Sequence, residues 1–178
     1  MGFELIKSEI VLKARVFLLR RDWLKTPDGR ETTYDIIEHH GSVAIVPVDA
    51  NGNLLFVRQY RHAAEKDVLE VPAGTMEEGE DPAECAAREI REETGFAAGK
   101  LEKIGEFYLA PGYSTEFMRV YLARDLKHDP LKADDDEFLS LESIPPVEAF
   151  QMAERGKIPD AKSLAALFLA RPYLETSS

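Results

Sequence analysis

The chain has 178 residues, 44% of them hydrophobic and 31% charged, and carries a formal net charge of -11. That length suits one domain with a small appendage, and the composition is that of a folded globular protein, with disorder expected only at the closing Glu175 to Ser178. The acidity argues against a nucleic-acid binder built on basic patches, yet it leaves phosphate open, because a divalent cation held by carboxylates reverses the local field and attracts an anion.

Glu4, Lys7, Glu9, Lys13 and Arg15 interrupt any apolar run of signal-peptide length, and no later stretch approaches a membrane span, so a cytoplasmic protein with no membrane partner is expected. "ARVFLLRRDWL", the turn "TPDGR" and "ETTYDIIEHH" predict a hairpin over residues 11 to 39. His39 and His40, as strand neighbours, are expected on opposite faces, one hydrogen-bonded inside and the other exposed, rather than as metal ligands. "GSVAIVPVD", a turn at Asn51 and Gly52, and "LLFVRQYR" predict a second, more apolar hairpin, and "DVLEVPAG" adds a short strand ending at Pro72.

A helix follows with clear punctuation. Asp81 is its N-cap, Pro82 fits the first turn, Glu84 stands at capping-box spacing, and Gly95 stops it. Cys85, the single cysteine, reads as a small core residue, since acidic surroundings disfavour a thiolate. Two strands, "KLEKIGEFYLAPG" and "FMRVYLARDL", flank a loop at Ala110 to Glu116. Asp134 to Glu137 read as a solvated loop rather than a calcium site; "EFLSLESI" predicts a strand, and "PPVEAFQMAERG" and "DAKSLAALFLARPYL" predict two C-terminal helices. Strands and helices interleave without regular βαβ alternation, which predicts an α/β fold, an α/β/α sandwich around a mixed sheet with an N-terminal β-hairpin extension.

The chemistry concentrates between Gly74 and Phe96, where eight residues are acidic. On a helix, Glu89, Glu92 and Glu93 project together, since residues three or four apart share a face. Like charges about 4 Å apart repel by roughly 4 kcal/mol at an effective dielectric of 20, so compensation is required. Arg88 can pair with Glu92, but one guanidinium cannot neutralise three carboxylates. A hard divalent cation with oxygen ligands, magnesium above all, can. The alternative is a solvated acidic helix face. Gly74 and Gly79 permit the sharp turns that aim backbone toward such an ion, or are ordinary turn glycines.

Gly74, Glu80, Arg88, Glu89, Ile90, Glu92, Glu93 and Gly95 match the Nudix box position by position, with the apolar Phe96 at its closing aliphatic position. The chain resembles the Nudix hydrolases, and the resemblance implies magnesium-dependent cleavage, with manganese as a substitute, of a diphosphate linked to another group. It also implies Glu89 and Glu93 as main metal ligands, Glu92 as a third carboxylate and reserve catalytic base, the Ala73 carbonyl as a further ligand, and Arg88 as the residue that orients the glutamates.

"APGYSTE" resembles the loop of the ADP-ribose pyrophosphatase branch. Pro111 is the fifteenth residue after Phe96, Gly112 follows it, and Ala110 replaces the usual serine. Glu116 corresponds to the loop glutamate that assists the attacking water. "VRQYRHA" resembles the branch's Gln-Tyr-Arg motif and offers Arg61 to diphosphate or ribose oxygens. Arg58 is expected to share the face of Arg61 and to help. Glu70 is implied as a substrate contact, and Asp160 as either a substrate contact or the cap of the last helix.

Residues 1 to 40 form an extension outside a minimal Nudix domain, which the resemblance assigns to residues 41 to 178 and expects to be exchanged across a homodimer. Trp23 or Tyr34 is then a candidate for stacking on adenine, an interaction of roughly 1 to 3 kcal/mol per base. The reading is hydrolysis of ADP-ribose or a close ADP-sugar. Other nucleoside diphosphate sugars or dinucleotides, and a non-catalytic nucleotide sensor, stay open.

Overall fold

The computed structural model describes residues 2–132 and 138–175; the expectations for residues 134–137 and for the tail at 176–178 lie outside them. Where one hairpin is expected at the N-terminus there are three antiparallel strands, β1 Glu4–Lys13, β2 Leu18–Lys25 and β3 Glu31–Glu38, in the order β1-β2-β3. β1 hides from sequence reading because all ten of its residues are exposed, so no single buried face imposes an alternation.

The chain divides into two compact units, Met1–Gly41 with Phe107–Phe117, and Ser42–Glu106 with Met118–Ser178. In the first, the loop after Tyr108 is tied to the end of β3. The Ile37 N–H donates to the Tyr113 carbonyl at 2.8 Å, the Thr115 N–H to the Ile37 carbonyl at 2.9 Å, and the His39 N–H to Thr115 Oγ1 at 2.9 Å. His39 and His40 lie beyond the strand end, so strand alternation does not govern them; even so His39 is half-buried with Nδ1 accepting from the Gly41 N–H, and His40 is exposed.

The second unit is organised around β4, Ser42–Pro47, which is buried along its whole length. A hairpin leads to β5, Leu54–Arg61; at its turn the Asp49 carboxylate accepts from the Asn51 and Asn53 N–H groups. β6 is Lys66–Glu70 and β7 is Ala73–Thr75; α1 is Pro82–Thr94, β8 Phe96–Tyr108, β9 Phe117–His128 and β10 Leu139–Ile144. α2, Pro146–Glu154, and α3, Ala161–Glu175, complete the chain. The strands form a mixed sheet of order β7-β4-β9-β8, with β4 and β9 parallel, and an antiparallel sheet of order β10-β5-β6.

A strand sends successive side chains to opposite faces. Val43 and Ile45 of β4 pack with Cys85, Ala86 and Ile90 of α1 in one cluster, while Ala44 and Val46 are equally buried on the other face, and α3 packs on the same strand. The expected α/β/α layering follows. Cys85 sits in that core as read, with burial first and the charges of Glu80 and Glu89 next raising its pKa far above the usual thiol range.

α1 begins and ends where its punctuation predicts. The Asp81 carboxylate accepts from the Ala83 N–H at 2.8 Å and the Glu84 N–H at 3.3 Å, Pro82 occupies the first turn, and Gly95 closes the helix at φ 78°, a left-handed conformation that glycine adopts without cost. Replacing Asp81 by alanine removes both acceptor contacts. The expected result is a loss of about 1 kcal/mol of unfolding free energy, read as a lower denaturation midpoint at unchanged slope.

Candidate active site

The acidic ridge is gathered by one arginine. Arg88 donates from Nε to Glu80 Oε1 at 3.1 Å and from Nη2 to Glu80 Oε2 at 3.1 Å, while its Nη1 reaches Glu89 Oε1 at 2.6 Å and Glu92 Oε2 at 2.9 Å. Burial works against its charged form, but its hydrogen bonds to Glu80 and the charge of Glu89 more than offset it, holding the guanidinium far above its ordinary pKa. Three carboxylates thus share a single positive charge. Glu93, on the same helix face, accepts from the Ala73 N–H at 3.1 Å, so the strand end and the helix meet at that carboxylate.

Gly74 explains how the ridge is packed. A Cβ placed on it would lie 1.9 Å from the Glu89 carboxyl carbon and 2.0 and 2.4 Å from its oxygens, so the carboxylate occupies the space where any other residue would carry its side chain. Among the described residues no group of three His, Cys, Asp or Glu side chains stands in ready metal-binding geometry. The reason is visible in the contacts: Glu89 and Glu92 are turned onto Arg88, and Glu93 onto Ala73. The donor set nonetheless fits a hard divalent cation, being oxygen-only, clustered, and richer in negative charge than its one guanidinium balances.

A second charged cluster lies at the other end of the Val71–Ala73 bend. Arg61 grips the Glu70 carboxylate with two parallel bonds, Nε to Oε1 at 2.8 Å and Nη2 to Oε2 at 2.7 Å. Lys162 of α3 donates to Glu70 Oε2 as well and to Asp160 Oδ2 at 3.0 Å. Asp160 also accepts from the Ser163 N–H at 3.0 Å, which makes it the cap of α3, and Ser163 Oγ accepts the Val71 N–H at 2.8 Å. Burial alone would raise the Glu70 pKa; the bond from Arg61 and the charge of Lys162 outweigh it and hold the carboxylate below its usual range. Arg61 is raised by its bond to Glu70 and feels the negative charges of Glu93 and Asp160, so this cluster borders the ridge.

The expected partnership of Arg58 with Arg61 does not form. The two are three residues apart on β5 and therefore face opposite ways; Arg58 pairs with Glu142 of β10 at 2.6 Å, on the face away from Glu70. Lys162 was not legible as a site residue, since "DAKSL" reads only as a helix start.

In the N-terminal unit, Trp23 and Tyr34 fall on opposite faces of the β1-β2-β3 sheet, as their partners Thr33 and Asp22 require. Lys7 Nζ lies 4.5 Å above the Trp23 ring, and Tyr34 meets Phe3 edge-on at 6.0 Å. Gly112 is in the turn that the Tyr113 and Ser114 N–H groups close onto the Ala110 carbonyl; a side chain there would meet open space. The Glu116 N–H is fixed by Ser114 Oγ at 3.1 Å.

Comparison with known proteins identifies the family. The family model "NUDIX domain" matches residues 38–167. The chain is 34% identical to an ADP-ribose pyrophosphatase of Bacillus subtilis (strain 168), covering 91% of this chain and 89% of that protein. It is 38% identical to an ADP-ribose pyrophosphatase of Mycobacterium tuberculosis (strain ATCC 25618 / H37Rv), covering 93% and 81%. The crystal structure of an ADP compounds hydrolase superposes with a TM-score of 0.87 at 28% identity, covering 98% of this chain and 95% of that one. The chain belongs to the Nudix family, whose hydrolases generally use divalent metal ions.

Two outcomes are expected from the geometry. Gly74→Ala drives a methyl group into the Glu89 carboxylate and should lower kcat/KM by at least about tenfold while the far-ultraviolet circular dichroism stays that of a folded protein. Glu70 is depressed in the folded state, so it contributes stability above the unfolded carboxylate pKa of about 4.3 that is lost as pH falls through the folded value. Glu70→Gln should therefore melt well below wild type at pH 7, with the gap closing progressively below about pH 5 in thermal scans.

Proposed function

We propose that this Nudix hydrolase cleaves the diphosphate of ADP-ribose, or of a close ADP-sugar, to AMP and the sugar 5-phosphate, using magnesium or, in its place, manganese. The carrying observation is the ridge itself, three box glutamates held by a single arginine, one of them packed into the space over Gly74, with the fourth, Glu93, beside them on the Ala73 N–H. The names of the relatives, which act on ADP-ribose or ADP compounds, support the substrate class.

Glu89, Glu92, Glu93 and the Ala73 carbonyl would hold the metal. When bound, such a cation offsets the diphosphate charge, polarises phosphorus and acidifies water. The residues of the chain do the rest. Arg88 holds Glu80, Glu89 and Glu92 in one array, so their oxygens are ordered before substrate arrives. Arg61 presents a planar pair of donors suited to diphosphate oxygens. Water adds to one phosphorus, and the bridging oxygen leaves with the other phosphoryl group. Glu116 is the base that takes the proton of that water, with Glu92 in reserve, a reading that rests on their positions in the sequence pattern.

Gly112, Asp160, Trp23 and Tyr34 are carried as substrate-pocket residues on the same ground, the last two as stacking platforms for adenine. Asp160 already serves as helix cap, and its substrate role is additional. Glu70 holds Arg61 while the site is free of substrate, and both of its oxygens are engaged there. Arg58, paired with Glu142, is left as a structural residue.

The protein works as a cytoplasmic homodimer, with residues 1–40 as the dimerisation and pocket element. Phe3, Leu5, Ile6, Ile10, Val11 and Leu12 are each about half exposed on and beside β1, exposed apolar side chains of the kind a second subunit covers. No helix among the described residues is long and apolar enough to cross a membrane.

Glu93→Gln keeps the shape and removes the charge. Turnover of ADP-ribose, followed as phosphatase-coupled phosphate release, should fall by about a hundredfold or more, and wild type should be silent without a divalent cation. Unchanged turnover in a folded variant would remove Glu93 from the site. GDP-mannose outranking ADP-ribose by kcat/KM would overturn the substrate reading.

A further inference from the structure

Lys162 is an unusual ion to bury at the border of an anion-binding site. Its side chain is 12% exposed and that of Glu70 is 3% exposed, so neither charge is rescued by solvent. Glu70 is held from two directions, by the fork of Arg61 and by the ammonium of Lys162. Asp160 engages the other side of the ammonium, and through Ser163 the same helix start is fastened to the Val71 N–H, so the lysine is anchored in place rather than tethered by a loose stem.

An arginine committed bidentately to a buried carboxylate is a poor ligand for anything else. Turning toward a phosphate oxygen would strand the carboxylate, and an uncompensated buried charge is strongly destabilising. Here that penalty is averted, because Lys162 keeps Glu70 paired when Arg61 lets go. We propose that Lys162 is a positioning residue that frees Arg61 for substrate: it takes over Glu70, so that the guanidinium can turn to the diphosphate without leaving a buried carboxylate unpaired. Lys162 itself touches no substrate. The inference rests on the reading of Arg61 as a diphosphate ligand.

The observable consequence lies in binding rather than in the chemical step. Lys162→Met should raise KM for ADP-ribose about tenfold or more, with kcat within about threefold of wild type and a cooperative melt. Lys162→Arg restores the charge and should restore KM. The double variant Lys162→Met with Glu70→Gln removes the buried carboxylate together with its lysine, so the most buried charge of the cluster is not stranded; it is the second test should the single variant fail to fold. With no carboxylate to hold Arg61, its KM should lie within about threefold of wild type.

A wild-type KM in folded Lys162→Met overturns the proposal, and so does a double variant as weak as an Arg61→Met control. The control separates the two layers. If Arg61→Met itself keeps the wild-type KM, the assignment of Arg61 to substrate fails and takes this inference with it. If Arg61→Met is defective while Lys162→Met is normal, only the inference fails.

Discussion

Three carboxylates converging on one guanidinium set the terms for the rest of the molecule. Arg88 bonds to Glu80, Glu89 and Glu92 within 3.1 Å, which leaves an excess of negative charge in a partly buried place. Repulsion of this size exceeds what a solvated surface pair contributes and must be met by a further cation or by relaxation of the ridge. The local fold resists relaxation. α1 is capped at both ends, its apolar side is locked to β4, and Gly74 leaves the Glu89 carboxylate a slot no other residue would allow. A charge arrangement held against its own repulsion by core packing is what a metal-dependent site requires.

The Val71–Ala73 bend joins this ridge to the second cluster. Its three residues are fastened in three directions: the Val71 N–H to Ser163 of α3, the Pro72 carbonyl to the Ile45 N–H of β4, and the Ala73 N–H to Glu93 of α1. Pro72 has no N–H to satisfy, which suits a position where only its carbonyl is used. The carboxylates of the ridge and the cations of the second cluster are therefore joined through one short segment, which is fastened to the start of α3 as well.

Much of this was legible in residue order. The spacing of Glu89, Glu92 and Glu93, the caps at Asp81 and Gly95 and the apolar hairpin around Asn51 and Gly52 are local, and local periodicity reports them directly. Three features escaped for physical reasons. β1 has no buried face, so its sequence lacks the alternation that marks a strand. The opposite facing of Arg58 and Arg61 followed from their odd spacing, but the choice of Glu142 and Glu70 as partners is set by strand order in the β10-β5-β6 sheet. Lys162 meets Glu70 only because α3 returns ninety-two positions later in the chain to the end of β6, a contact no window of sequence contains.

The central claim, that the ridge persists because a divalent cation balances it, is tested most directly by titrating magnesium chloride into the protein in a calorimeter, beside a Glu89→Gln/Glu93→Gln variant with an unaltered melting profile. Saturable uptake by wild type and none by the variant is the predicted result. Equal heats in the two proteins, or no saturable binding by wild type, would contradict it.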